Sequence, residues 1–213
     1  MVDFSRHDPL DGTSAVATLS GSVGTAGCFV QVGSDAKCFL GSAHVMAVGA
    51  DGRIFQPPAT QSSSIQVAQL WDSYGPANSG QSVNVLDAAI ATVSAGVDIN
   101  PRIGDLGPPR GFNPNLVVNE RVWIHGAGSG QKTSGQILQL NDSPTVTYDD
   151  GSQASFSGLA KCERYSVAGD SGAAVLDGNG YVVGIHLCGT SDFSWFCPIH
   201  MVQARWPQIQ LIT

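Results

Sequence analysis

The chain has 213 residues, a formal net charge of −7 and a pI near 4.9, with 42% hydrophobic and only 13% charged residues. It holds no run of Lys or Arg to follow a phosphate backbone or an anionic headgroup layer, so neither nucleic acid nor membrane is expected as a partner. The length suits one large or two small hydrophobic cores, and 26 glycines with 11 prolines suit many short strands and turns, so the expected class is all-β.

Residues 1–8 lack the basic start and apolar core of a secretory leader, and no apolar run reaches the roughly 18 residues of a membrane helix. The expectation is a cytoplasmic protein, or a secreted one if a leader has been removed, with a monomer as the default state. Cys28, Cys38, Cys162, Cys188 and Cys197 form an odd set without a CxxC pair, which argues against zinc and thioredoxin-type sites. Cys28 with Cys38, and Cys188 with Cys197, flank expected hairpins and could bridge in an oxidising compartment. Buried free thiols are the favoured expectation, because free Cys packs as a small hydrophobe.

From residue 14 the chain reads as short apolar or alternating segments punctuated by Gly, Ser, Asn and Asp, without a 3.6-residue period. Strands are expected at 16–19, 27–32 and 37–40, the last two joined by a turn at 33–36. Directly after comes Gly41-Ser42-Ala43-His44-Val45, where an apolar strand ends on one histidine. Such a histidine is either a hydrogen-bonded structural residue or a proton carrier. Further strands are expected at 54–58, 65–70 and 85–93, the last headed by a lone carboxylate, Asp87. It either faces solvent or is buried against a hydrogen-bonding partner such as an imidazole, since burial without one is costly.

Residues 100–115 hold four prolines and three glycines and mark the crossing between two strand-rich halves. Beyond it, strands are expected at 116–118, 121–125, 134–140, 145–148, 173–176 and 181–186. A short helix is expected at 199–206, stopped by Pro207. Two halves of about six strands each suggest two barrels, because closure removes exposed edges. The expected units are residues 1–100, a linker at 101–115, and residues 116–213.

The stretch Ala168-Gly169-Asp170-Ser171-Gly172-Ala173 sets a serine between glycines at a tight bend that opens an apolar run. Turn chemistry alone explains it. The same geometry exposes a hydroxyl beside converging backbone N–H groups, which an acyl-transfer nucleophile requires.

Taken together, Ser-Ala-His44-Val, Leu-Asp87-Ala-Ala-Ile-Ala and Gly169-Asp170-Ser171-Gly172, in that order and spacing, resemble the three signatures of the chymotrypsin-like serine proteases. The resemblance spans residues 14–206. It implies two six-stranded antiparallel β-barrels with the site between them, and a peptide or protein substrate without cofactor or metal. The glycine-rich stretch 126–137 is similar to an early strand pair of the second barrel in small microbial members. By resemblance, Ser171 is the nucleophile, His44 the general base and Asp87 its orienter, while the amides of Gly169 and Ser171 form the oxyanion hole.

The specificity pocket would be lined by Tyr165, Ser166 and the strand 184–189. Gly184-Ile185-His186 is similar to the same strand in glutamyl endopeptidases and picornavirus-type main proteases, where the histidine donates to a Glu or Gln side chain. This marks Ser166, His186 and Gly189 as substrate-binding candidates and cleavage after Glu or Gln as the expectation; the alternative is that His186 only satisfies a buried carbonyl. With Tyr165 where a trypsin-type pocket has a carboxylate, cleavage after Lys or Arg is not expected. The chain lacks the Ile-Val-Gly-Gly terminus of animal members, so Asp170 needs another partner. The competing function is a protease-like module that binds peptides without cutting them.

Overall fold

The structure, a computed structural model, describes residues 2–19, 21–33, 36–49, 51–58, 64–76, 83–148 and 150–213. The first half contributes β1 (Ala15–Val16), β2 (Gly24–Thr25), β3 (Cys28–Val32), β4 (Ala36–Gly41), the one-turn helix α1 (Ala43–Met46), β5 (Arg53–Gln56), β6 (Ile65–Tyr74) and β7 (Ala88–Val93). The second contributes β8 (Arg121–Gly126), β9 (Gln131–Asp142), β10 (Thr145–Thr147), β11 (Gln153–Ser155), β12 (Leu159–Glu163), β13 (Ala174–Leu176), β14 (Val182–Gly189) and β15 (Phe193–Pro198). Helix α2 (Ile199–Arg205) and the final strand β16 (Gln210–Leu211) follow.

The expected all-β architecture of two six-stranded units with a short C-terminal helix is present. The second unit is a closed barrel in the order β12-β15-β14-β13-β8-β9, and the first is a six-stranded sheet in the order β16-β3-β4-β7-β6-β5. Residues 210–211, which the sequence groups with the second half, supply the sixth strand of the first sheet, Leu211 pairing with Val30. Local pattern sets strand propensity but not the pairing partner, which here lies at the far end of the chain.

Alternation along β3 and β4 explains why they read as continuous apolar runs. Phe29 and Phe39 point into the core of the first sheet and meet edge to face at 6.3 Å, while Cys28, Val30, Cys38 and Leu40 point the other way. Their cluster is shared with Leu176, Ile185 and Trp206 of the second half, so both faces of the sheet are covered. A third cluster, built on Val122, Ile124, Ile137, Val175, Val183 and Phe196, fills the closed barrel. Truncating a fully buried ring such as Phe29 would cost about 3–5 kcal/mol.

Several expectations are corrected. Residues 116–118 form no strand: Val117 and Val118 are exposed, and Asn119 takes a φ of 71° in the turn feeding β8. The first expected strand ends at Val16, and the turn at 33–36 lies partly outside the described residues. Strands β11, β12 and β15 add to those expected. All five cysteines are free thiols. Register explains why the hairpin pairs stay unbridged, since Cys28 faces Leu40, Cys38 faces Val30, Cys188 faces Trp195 and Cys197 faces Ile185.

The halves are held together at close backbone contacts. Thr25 N–H donates to Ser171 O at 2.8 Å and Ser42 Oγ donates to His186 O at 3.1 Å. Gly172 sits at a φ of 94°, where a Cβ would collide with Thr25 O. Only glycine allows this approach without strain.

Candidate active site

His44 lies in α1, the single turn that ends β4, rather than on the strand itself. The preceding Ser42 is extended, with ψ at 140°, and small residues at 41–43 let the helix start against the sheet. This turn aims the imidazole at the head of β7, where Asp87 waits.

The Asp87 carboxylate is completely buried and fully engaged. Its Oδ2 lies 2.7 Å from His44 Nδ1, its Oδ1 accepts the His44 backbone N–H at 3.0 Å, and its own N–H donates to Cys197 Sγ at 3.4 Å. A buried charge is tolerable only when paired this way. One further donor went unread in the sequence: Tyr148, at the end of β10, donates its hydroxyl to Asp87 Oδ2 at 3.1 Å. Its ring also lies 5.2 Å from the His44 ring. Burial and the neighbouring carboxylate raise the Tyr148 pKa, keeping the phenol a donor. Nothing local announces this contact, because the two residues come from different halves.

His44 and Ser171 line one cavity of about 700 Å³ between the halves, with Asp87 behind His44. Ser166, Gly169, His186 and Gly189 line the same cavity, so all the sequence-predicted substrate-side residues come together. Ser171 Oγ donates to Leu187 O at 3.2 Å.

The loop carrying Ser171 is fixed from below by Asp170. Its carboxylate is buried and accepts the N–H groups of Ser129 at 2.8 Å and Val167 at 2.9 Å, and burial raises its pKa. These backbone amides are the partners that Asp170 needs. Gly126 and Gly128 pack so closely on this loop that side chains there would strike Asp170 and Ala168. Gly169 itself has a φ of 95°, and its carbonyl accepts Thr25 Oγ1 at 2.8 Å.

His186 is 1% exposed, with Nδ1 3.2 Å from the Tyr165 hydroxyl, and burial depresses its pKa to about 3. It is neutral at ordinary pH. Tyr165, expected to line the pocket, is instead buried in the barrel core with its ring 5.3 Å from that of His186, while the Ser166 hydroxyl meets Ser194 Oγ at 2.8 Å. Gly189 packs directly against Ser166, where a Cβ would come within 2.7 Å of Ser166 Oγ. Among the described residues no cluster of three or more His, Cys, Asp or Glu side chains could hold a metal ion, and no helix is long and apolar enough to cross a membrane.

A glycine-flanked serine turn and a buried His–carboxylate pair facing one cleft between two β units are the architecture of the chymotrypsin-like serine hydrolases. The trypsin family model matches residues 17–195, and the chain belongs to that family, a serine endopeptidase acting on peptide or protein substrates. No curated protein matches the sequence. Among solved structures, the fold is similar to Thermobifida fusca protease A at 20% identity, covering 96% of this chain and 98% of that one with a TM-score of 0.70. It is similar to a glutamic-acid-specific serine protease, described as using a histidine triad in substrate binding, at 20% identity, 95% and 100% coverage and a TM-score of 0.70. Cellulomonas bogoriensis chymotrypsin aligns at 21% identity, 96% and 98% coverage and a TM-score of 0.66.

Proposed function

We propose that the chain cleaves peptides through an acyl-enzyme formed on Ser171, with His44 as general base and Asp87 as its orienter. The observation that carries this is the pair of contacts from one buried carboxylate to His44, through Nδ1 at 2.7 Å and the backbone N–H at 3.0 Å. They fix the tautomer and the ring plane, leaving Nε2 as the nitrogen that exchanges a proton with the nucleophile. Attack requires the Ser171 hydroxyl to turn from Leu187 O toward that nitrogen. Catalytic hydrogen bonds commonly tighten in this way when substrate binds.

The amides of Gly169 and Ser171 serve as the oxyanion hole. Among the described residues neither N–H donates to another group, while the adjacent amides of Asp170 and Gly172 are committed to Val167 O and His186 O. Each donor aimed at a developing oxyanion is worth about 3 kcal/mol.

For the residue before the scissile bond, the reading is Gln or Glu, with Gln favoured. Ser166, His186 and Gly189 line the cavity, and a neutral imidazole and hydroxyls suit an amide oxygen better than an added charge. The likeness to the glutamic-acid-specific protease supports the acceptor-type side chain, although here the His186 ring meets the Tyr165 phenol and the Trp195 backbone rather than another imidazole. Tyr165, where a trypsin-type pocket has a carboxylate, supplies no counter-charge for Lys or Arg.

A fluorophosphonate probe tests the chemistry: Ser171 should be labelled, and His44→Ala should abolish labelling. An unlabelled wild-type protein would leave a peptide-binding module. Matched peptides carrying Gln, Glu, Ala or Lys before the cut then test the pocket, and turnover after Lys would overturn that assignment.

A further inference from the structure

Residues 2–11 cross between the two halves before β1 begins. At one end, Leu10 N–H donates to Asp98 O at 2.9 Å and Leu10 O accepts from Asn100 N–H at 2.8 Å, which ties the segment to the stretch after β7. At the other, Asp3 N–H donates to Ala127 O at 3.0 Å in the β8–β9 turn. Between them, the Phe4 ring edge stands 3.5 Å from where a Cβ would sit on Gly169.

The segment also reaches Gly169 by a second route. Ala127 N–H donates to Thr25 Oγ1 at 3.0 Å, and Thr25 Oγ1 donates to Gly169 O at 2.8 Å. Gly169 has no side chain and a left-handed backbone, so its orientation depends on these neighbours.

His7 holds this strap in place. Its Nδ1 is 3.0 Å from Asp11 Oδ1 and its Nε2 is 3.2 Å from Asp3 Oδ2. A neutral imidazole has one N–H and one lone pair, so carboxylates facing both nitrogens fit only the imidazolium. The hydrogen bond to Asp11, with both negative charges, raises its pKa.

The two arms are unequal. Asp11 Oδ1 also accepts from Thr13 N–H at 2.9 Å, Thr13 Oγ1 at 2.8 Å and Ser14 Oγ at 3.3 Å. Among the described residues the Asp3 carboxylate otherwise accepts only from Ser5, through N–H at 3.0 Å and Oγ at 2.6 Å, within the strap itself. The remaining charges nearby, Arg6 and Asp8, pair with each other at 3.0 Å, and the Gln56 amide that holds His7 O at 2.7 Å is uncharged. Loss of the His7 proton therefore frees the Asp3 arm while Asp11 stays anchored.

We propose that His7 is a positioning residue for the oxyanion loop, clamping the Phe4 strap against Gly169, and that release of this clamp lowers kcat. The proposal rests on the Gly169 N–H being an oxyanion donor. Because the clamp needs the imidazolium, its contribution is complete below the ordinary histidine pKa and disappears as pH rises through the raised one.

The test is the pH dependence of kcat and KM for the full chain and for His7→Gln, Asp3→Asn and Phe4→Ala, with thermal melts run alongside. Wild-type kcat should fall on the alkaline side in step with the His7 imidazole titration followed by NMR, at nearly constant KM. His7→Gln and Asp3→Asn should lack that limb, and all three variants should show kcat about three- to tenfold lower near pH 6. An alkaline limb unchanged in Asp3→Asn, which keeps the Asp11 contact, or wild-type kcat in Phe4→Ala, would overturn the proposal. A strap that only stabilises the fold would lower melting temperatures and leave the limb in place. Failure of the underlying serine-hydrolase reading is distinct, since the wild type would then resist fluorophosphonate at every pH.

Discussion

Tyr148 donates its hydroxyl to Asp87 Oδ2 at 3.1 Å, the same oxygen that faces His44 Nδ1 at 2.7 Å. A residue of the second half thereby completes the shell of a carboxylate that belongs to the first, on the side away from the His44 backbone N–H. Hydrogen bonds to a buried charge are worth about 1.5–3 kcal/mol. Tyr148→Phe keeps the ring beside His44 and removes only this donor, so kcat should fall several-fold with KM little changed and the melting temperature lowered. Unchanged kcat and melting temperature would show that the phenol is a bystander.

His186 gives a pH dependence of the opposite sign to the strap. Burial depresses its pKa from 6.5 to about 3, so the unfolded chain takes up a proton that the native state refuses. The stability it supports is present above the unfolded value and is lost as pH falls from 6.5 toward about 3. Urea midpoints should decline across that window in the wild type and decline less in His186→Gln. Parallel declines would place the acid sensitivity elsewhere.

Gly172→Ala tests the seam between the halves. At a φ of 94°, with a Cβ directed at Thr25 O and near Ser42 N, the substitution has no unstrained solution. A loss of more than about 1 kcal/mol is expected, together with reduced fluorophosphonate labelling of the adjacent Ser171. A variant with wild-type melting and labelling would show that the seam has slack.

The meeting of His44 with Asp87, and of His44 with Ser171 along one cavity, was legible because each of the three sits in a short, sharply punctuated motif. Strands β3 to β9 were legible for a related reason, since their residues face buried cores in a repeating pattern. Tyr148 was not, because its partner lies 61 residues away on another sheet and no periodicity encodes that meeting. Strand β11, at three residues, is too short to carry a pattern, and β16 reveals itself only by the strand it joins. The run 116–118 misled for the converse reason: apolar residues there line an exposed turn, and hydrophobicity without a partner surface makes no strand.

The tails of this chain are exchanged. Its last strand finishes the sheet begun by residues 28–41, while its opening residues are fastened at Ala127 in the other half. The first sheet is not completed from its own contiguous stretch of polypeptide, so synthesis must pass residue 211 before it acquires its sixth member. Expressed without residues 210–211, the first half would present an unpaired β3 edge, and a catalyst would form only on reunion with the second.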